Sequence, residues 1–303
     1  MTSLTDGNAL RQPLSPWTLP TIVVLGVFAI APGCASSNAA ANAAVPRATA
    51  VTPAAAPANA TESLTTQELI GLERTAGSTP PLPHEVEPAT APVAGIAGTP
   101  GPSPAFGPEN ALVRIYLFTD FQCGVCPRLV EPIKHLARAY PDDVRIVLKH
   151  NALATHGRAA SLAAASIAAF RQSKFWEFHD RLFANSAKNS DADLVALAQA
   201  IGLDIARFRA DMDDEAVTEQ VKYESALAVS IGLVGTPGLV VNGRLEKGWG
   251  SYMGLESVAK REIARARQIA ASGVPAGRVA YEATRQSGPQ GEQLASALFT
   301  VSK

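Results

Sequence analysis

The feature that most constrains this chain is a pair of cysteines set between an expected strand and an expected helix. Leu112 to Phe118 (LVRIYLF) is mostly apolar with β-branched and aromatic members, and reads as a buried strand. Thr119-Asp120-Phe121-Gln122 follows as a short turn, then Cys123-Gly124-Val125-Cys126. Pro127 suits the first turn of a helix, and Leu129, Val130, Ile133, Leu136 and Ala137 recur at helical spacing. Pro132 lies inside that pattern and is expected to kink it. Val144 to Leu148 (VRIVL) reads as a second strand, so the order is strand, helix, strand: a βαβ unit.

A long helical block comes next. Arg158 to Phe170 is rich in alanine, and Phe175, Trp176, Phe178, His179, Leu182 and Phe183 form an aromatic stripe best read as helix core. His179 is taken with it as a core or surface histidine. Asp191 suits the cap of a helix ending at Gly202, Asp204 the cap of a short one, and Glu215 to Ser230 carries another. Gly238 to Val241, then Asn242-Gly243, then Arg244 to Lys247 reads as a hairpin with the strongest short turn signal. An amphipathic helix is expected from about Tyr252 to Ala270. The last thirty or so residues are weakly patterned and are expected to form a tail, 272–303.

Ahead of the first strand the composition changes. From Ala35 to Asn110 the only Lys or Arg residues are Arg47 and Arg74, and most of the rest is Ala, Pro, Thr and Gly. Such a stretch buries too little apolar surface to offset its ordering entropy. Residues 35–90 therefore read as an Ala/Pro-rich tether, with one short helix expected after Thr65, and the folded domain as 91–271. Residues 1–34 have the anatomy of an export signal: Arg11, the apolar run Ile22 to Ala31, then small residues. APGC, ending at Cys34, resembles a bacterial lipobox, although Ala31 stands where such motifs usually have Leu. The resemblance implies lipidation of Cys34 and a membrane anchor on a protein of the cell envelope or periplasm. An uncleaved anchor from Trp17, or cleavage elsewhere, are the alternatives. With 26 Lys+Arg against 27 Asp+Glu in 303 residues, the chain offers no surface suited to coating a polyanion, which argues against nucleic acid.

The C-x-x-C at a strand–helix junction, with Val234-Gly235-Thr236-Pro237 ahead of a late strand, resembles the thioredoxin superfamily. The helical block between the βαβ and ββα halves places the resemblance in its DsbA-like branch, an α/β fold. FTDFQCGVCPRL (118–129), QSKFWEFHDRLFAN (172–185) and GTPGLVVNGR (235–244) carry it. The resemblance implies thiol–disulfide exchange without a bound cofactor, between the Cys123–Cys126 pair and cysteines of exported proteins, with a redox partner that recharges the pair. A helix N-terminus would stabilise the Cys123 thiolate as the attacking group, and Cys126, one turn on, would resolve the mixed disulfide. Pro237 would be a cis-proline facing the cysteines, and Thr236 would offer backbone groups to an extended substrate. Asp120 is a turn residue beside the site and a candidate for proton transfer.

Other readings are weaker. Zinc held by the cysteines with His150 and His156 would need a gap longer than the usual finger spacing, so no metal is expected. The family commonly places a buried acid six residues before the first cysteine; Leu117 stands there, which removes an acceptor for the Cys126 proton. Gly124-Val125 also lacks the histidine of the DsbA dipeptide, so a less oxidising couple is expected. A non-catalytic module that binds an extended peptide in the same groove is the rival reading; Leu117 favours it and the intact C-x-x-C disfavours it.

Overall fold

The computed structural model describes residues 82–246 and 251–299. The expected export signal at 1–34 with Cys34, the short helix expected after Thr65, and residues 35–81 of the expected tether lie outside them. The central strand β3 (Val113–Thr119) is buried at every position and pairs in parallel with β4 (Val144–His150). Between them run a 3-10 turn (Cys126–Leu129) and α1 (Val130–Ala139). The change of helix type explains why Pro132 is tolerated. It falls in the first turn of α1, where backbone N–H groups have no helical partner to lose.

The block after β4 is all helical: α2 (Ala159–Phe170), α3 (Phe175–Ala184), α4 (Asp191–Ala200), α5 (Ile205–Met212) and α6 (Glu215–Ser230). Asp204 caps α5 through the Arg207 N–H. The cap of α4 is Ser190 rather than Asp191, because Ser190 and Asp193 form a reciprocal capping box. The chain then returns to the sheet as β5 (Gly238–Val241) and β6 (Arg244–Glu246), joined through Asn242 and Gly243 at φ 43° and 80°. Two consecutive positive φ values are what a tight hairpin turn demands. The long helix α7 (Tyr252–Ala271) follows.

The folded unit extends beyond 91–271 at both ends. Glu85–Glu87 forms β1 and Ser103–Phe106 forms β2, giving a six-stranded sheet in the order β1-β2-β4-β3-β5-β6. Strand β1 carries no apolar alternation because ion pairs hold it. Buried Glu87 receives Arg114 from β3 and the Arg145 Nε from β4 at 2.7 Å, and Arg145 also donates to the Val86 carbonyl at 2.9 Å. At the other end, α8 (Val279–Arg285) and α9 (Gly291–Leu298) replace the expected tail. They are too short to print a helical period, yet Leu294 and Leu298 are buried with Tyr116 and Phe118 of β3. The Tyr116 hydroxyl donates to the Leu298 carbonyl.

Alternation along β3 divides the core. Val113, Ile115 and Leu117 face α1 and α7; Tyr116 and Phe118 face α6, α8 and α9. A third apolar cluster joins Cys123, Cys126, Phe121 and Val130 to helices α2 to α5, so the helical block closes over the cysteine end of the sheet.

Candidate active site

Strand β3 ends at Thr119, and the loop that follows is built from side-chain hydrogen bonds. Asp120 Oδ1 accepts the Gln122 N–H at 2.8 Å; its Oδ2 accepts the Leu153 N–H at 3.0 Å and lies 2.8 Å from His156 Nδ1. These contacts use both carboxylate oxygens. Asp120 thus ties the cysteine loop to the segment after β4. Its side chain is fully buried and engaged, which favours an architectural role over proton transfer. Gln122, His156 and Asn151 belong to the same frame, and sequence reasoning missed Gln122 and Asn151. Gln122 accepts the Arg158 N–H, and Asn151 Nδ2 donates to the Leu233 and Gly235 carbonyls at 3.3 and 3.4 Å. Their only sequence signal is a polar residue just beyond an apolar strand.

The Asn151 contacts hold the loop that carries Thr236 and Pro237, joined by a cis peptide bond. Cys123 Sγ lies 3.4 Å from the Thr236 carbonyl, so the expected juxtaposition of Cys123 with this loop is present, across 113 residues of sequence. Both cysteines are free thiols, with Cys123 7 % and Cys126 2 % exposed. The Cys126 N–H donates to the Cys123 carbonyl at 3.2 Å, opening the 3-10 turn into α1. Cys123 therefore precedes the helical turn at its N-terminal end, where N–H groups lack helical partners. Val125 beside it is 46 % exposed.

Burial pushes the Cys126 thiol up to about 12, with the hydrogen bond to Cys123 acting in the same direction and Thr119 opposing. Cys126 is thus the thiol that stays protonated. An unfolded thiol titrates near 8.5, so the fold holds the Cys126 proton more tightly than the unfolded chain does. The contribution is fully present below about pH 8.5 and is lost as pH rises toward the folded value. Reduced protein is expected to lose more of its Tm between about pH 8 and about pH 10 than Cys126→Ala does. Equal losses in the two proteins would contradict the shift.

Leu117 is buried under the cysteines and, with Thr119, Cys126, Lys134, Trp176 and His179, lines a small cavity. The zinc reading finds no support in the geometry. His156 is engaged by Asp120, and His150 is buried with Nε2 3.2 Å from Ser166 Oγ.

A family model described as DSBA-like thioredoxin domain matches residues 114–260, which hold both cysteines, the helical block and the Thr236–Pro237 loop. Over residues 114–260 the chain is similar to a DsbA-like thioredoxin domain. Its curated relatives include a Na(+)/H(+) antiporter NhaA of Herminiimonas arsenicoxydans, 36 % identical over 142 residues, 47 % of this chain and 22 % of the relative. A second, NhaA 3 of Salinispora tropica, is 32 % identical over 162 residues, 53 % of this chain and 25 % of the relative. The chain spans about a quarter of the length of these relatives. Among solved structures, a thioredoxin-like oxidoreductase from Silicibacter pomeroyi is 29 % identical with a TM-score of 0.48, covering 55 % of this chain and 92 % of that one. The thiol-disulfide exchange protein alpha-DsbA2 from Wolbachia pipientis is 22 % identical with a TM-score of 0.48, covering 52 % and 86 %.

Proposed function

We propose that the protein is a thiol–disulfide oxidoreductase of the cell envelope, exchanging the Cys123–Cys126 disulfide with cysteines of exported proteins. The observation that carries this reading is the asymmetry of the pair at the Thr236–Pro237 loop. Cys123 meets the loop, while Cys126 lies beneath it with its proton held to high pH. In the oxidising direction a substrate thiolate attacks Cys123 Sγ, the Cys123–Cys126 bond breaks, and Cys126 leaves and takes up a proton. A second substrate thiolate then attacks the mixed disulfide, forming the substrate disulfide and releasing Cys123. The reducing direction runs the same steps backward, with Cys126 resolving the mixed disulfide. No bound cofactor takes part; a separate redox partner recharges the pair.

The export run at 22–31 supports placement in the envelope, and Cys34 is the proposed point of lipid attachment. Thr236 and Pro237 are the proposed edge against which an extended substrate strand lies. Reduction of insulin and refolding of reduced ribonuclease test the exchange activity. A protein inactive in both, yet binding extended peptides, would support the non-catalytic reading instead. Because the Gly124-Val125 dipeptide offers Cys123 no histidine, the couple is expected to be more reducing than the roughly −120 mV of DsbA. Equilibration against glutathione measures it, and a potential at or above that value would contradict the expectation.

A further inference from the structure

The motif Phe175-Trp176-Glu177-Phe178-His179-Asp180 has no part in the exchange scheme so far, yet two of its side chains reach the cavity beneath Cys126. His179 is 2 % exposed and enclosed by aromatic rings, with centroids 4.9 Å away at Phe183, 5.4 Å at Trp176 and 5.7 Å at Phe121. Its Nδ1 lies 3.0 Å from Asp180 Oδ1, and the other Asp180 oxygen accepts from Lys134 Nζ. Lys134 is itself 1 % exposed on its side chain and 3.6 Å from Glu131. A carboxylate accepts only, so Nδ1 donates and Nε2 keeps its lone pair.

The cavity itself has about 10 Å³ of room for the centre of a water molecule, roughly what one water occupies by that measure. It is lined by Cys126, Thr119, Lys134, His179 and Trp176, so thiol, hydroxyl, ammonium, imidazole and indole share one small space. Trp176 Nε1 is buried without a hydrogen-bond partner. A buried indole N–H left unpaired costs free energy, and a water in this cavity would satisfy it.

We propose that His179 is the proton acceptor for Cys126, acting through one water held in this cavity, with Asp180 and Lys134 as positioning residues that fix its tautomer. The proposal rests on the exchange reading above. In resolution, the Cys126 S–H bond breaks as its sulfur forms the bond to Cys123 Sγ. The Cys123–substrate bond breaks, the substrate leaves as thiolate, and the proton passes through the water to His179 Nε2. The imidazolium faces the Asp180 carboxylate. In the opposite direction the same proton returns to Cys126 as it leaves. The groups facing His179 are Cys126, Thr119 and Lys134 with Glu131 behind it, His150 beyond Phe121, and Asp180 on its own helix. Burial pushes His179 down from its ordinary value, which keeps the ring neutral and able to accept at neutral pH. The arrangement supplies, from the helical block, the acceptor that Leu117 removes from β3.

The test uses the whole reduced protein and a symmetric aromatic disulfide, 5,5′-dithiobis(2-nitrobenzoate), as probe. The first coloured thiolate released reports attack by Cys123, and the second reports resolution by Cys126. With a neutral imidazole as base and a protonated thiol, the second rate should be flat from about pH 6 to about pH 9. His179→Gln should be about 100-fold slower near neutral pH and should rise about tenfold per pH unit, following the thiolate fraction. A His179→Gln protein that keeps the flat profile overturns the proposal. If that variant fails to fold, Trp176→Phe decides: it keeps the ring and loses the N–H that holds the water. A slower second phase in Trp176→Phe is expected, and an unchanged one overturns the proposal. Activity on insulin and ribonuclease is read separately. A flat, His179-dependent profile in a protein inactive on both would support the relay and sink the exchange function.

Discussion

Cys126→Ser is expected to accumulate mixed disulfides with its substrates, and Cys123→Ser to lower exchange to the uncatalysed rate. The structure explains the asymmetry. Cys123 lies against the Thr236 carbonyl, on the proposed substrate edge, whereas Cys126 is 2 % exposed and lines the interior cavity. Removing the outer sulfur removes the first bond-forming step. Removing the inner one leaves that step intact and deletes the group that ends it, so the intermediate persists. Non-reducing electrophoresis of each variant with a reducible protein substrate reads both effects. A trapped species in Cys123→Ser and none in Cys126→Ser would reverse the assignment of roles.

The second large effect is on stability and lies far from the cysteines. Glu87→Ala should lower stability by about 3–5 kcal/mol, because it removes the buried carboxylate that two buried guanidinium groups share, leaving Arg114 with none and Arg145 with only the half-exposed Glu85. Arg114 and Arg145 both converge on Glu87, whose side chain is 3 % exposed. For a domain of this size the change corresponds to a fall in Tm of roughly 10 °C. Glu85→Ala is the control, since Glu85 is 35 % exposed and meets only Arg145; its cost should stay below about 1 kcal/mol. Thermal unfolding of the two variants decides. Equal, small losses would mean that β1 adds little to the sheet.

That second site shows where sequence reading stops. Strands β3 and β4 announce themselves through apolar, β-branched runs, and α6 through its length. The Asn242-Gly243 turn is written in the residues whose backbone it needs. The cysteines, Thr236 and Pro237 were also legible, because their types and order survive in one dimension. Strand β1 was not: Glu85-Val86-Glu87 looks like solvated chain until Arg114 and Arg145 are known to be its neighbours. The two C-terminal helices hid for another reason. At seven and eight residues they are too short to show a period, and they are held by packing on Tyr116 and Phe118 of β3, on α6 and on α7. In the sequence His179 reads as a core or surface histidine of the aromatic stripe. Its pairing with Asp180 is local, but the cavity it shares with Cys126 exists only once α3 lies against α1.

The 3.4 Å contact between Cys123 and Thr236 has a consequence for when the molecule becomes competent. The two partners are separated by the entire helical block, and Asn151, just past the end of β4, is what ties the second loop to the sheet. A partly folded chain therefore holds two ordinary thiols one turn apart and no edge for a substrate to lie against. The difference between the cysteines arises at the same moment, since burial is what distinguishes Cys126. On the proposed function, redox competence thus belongs to the assembled domain: a fragment that lacks either half is expected to be without it, and more fitted to be a client of such chemistry than its agent.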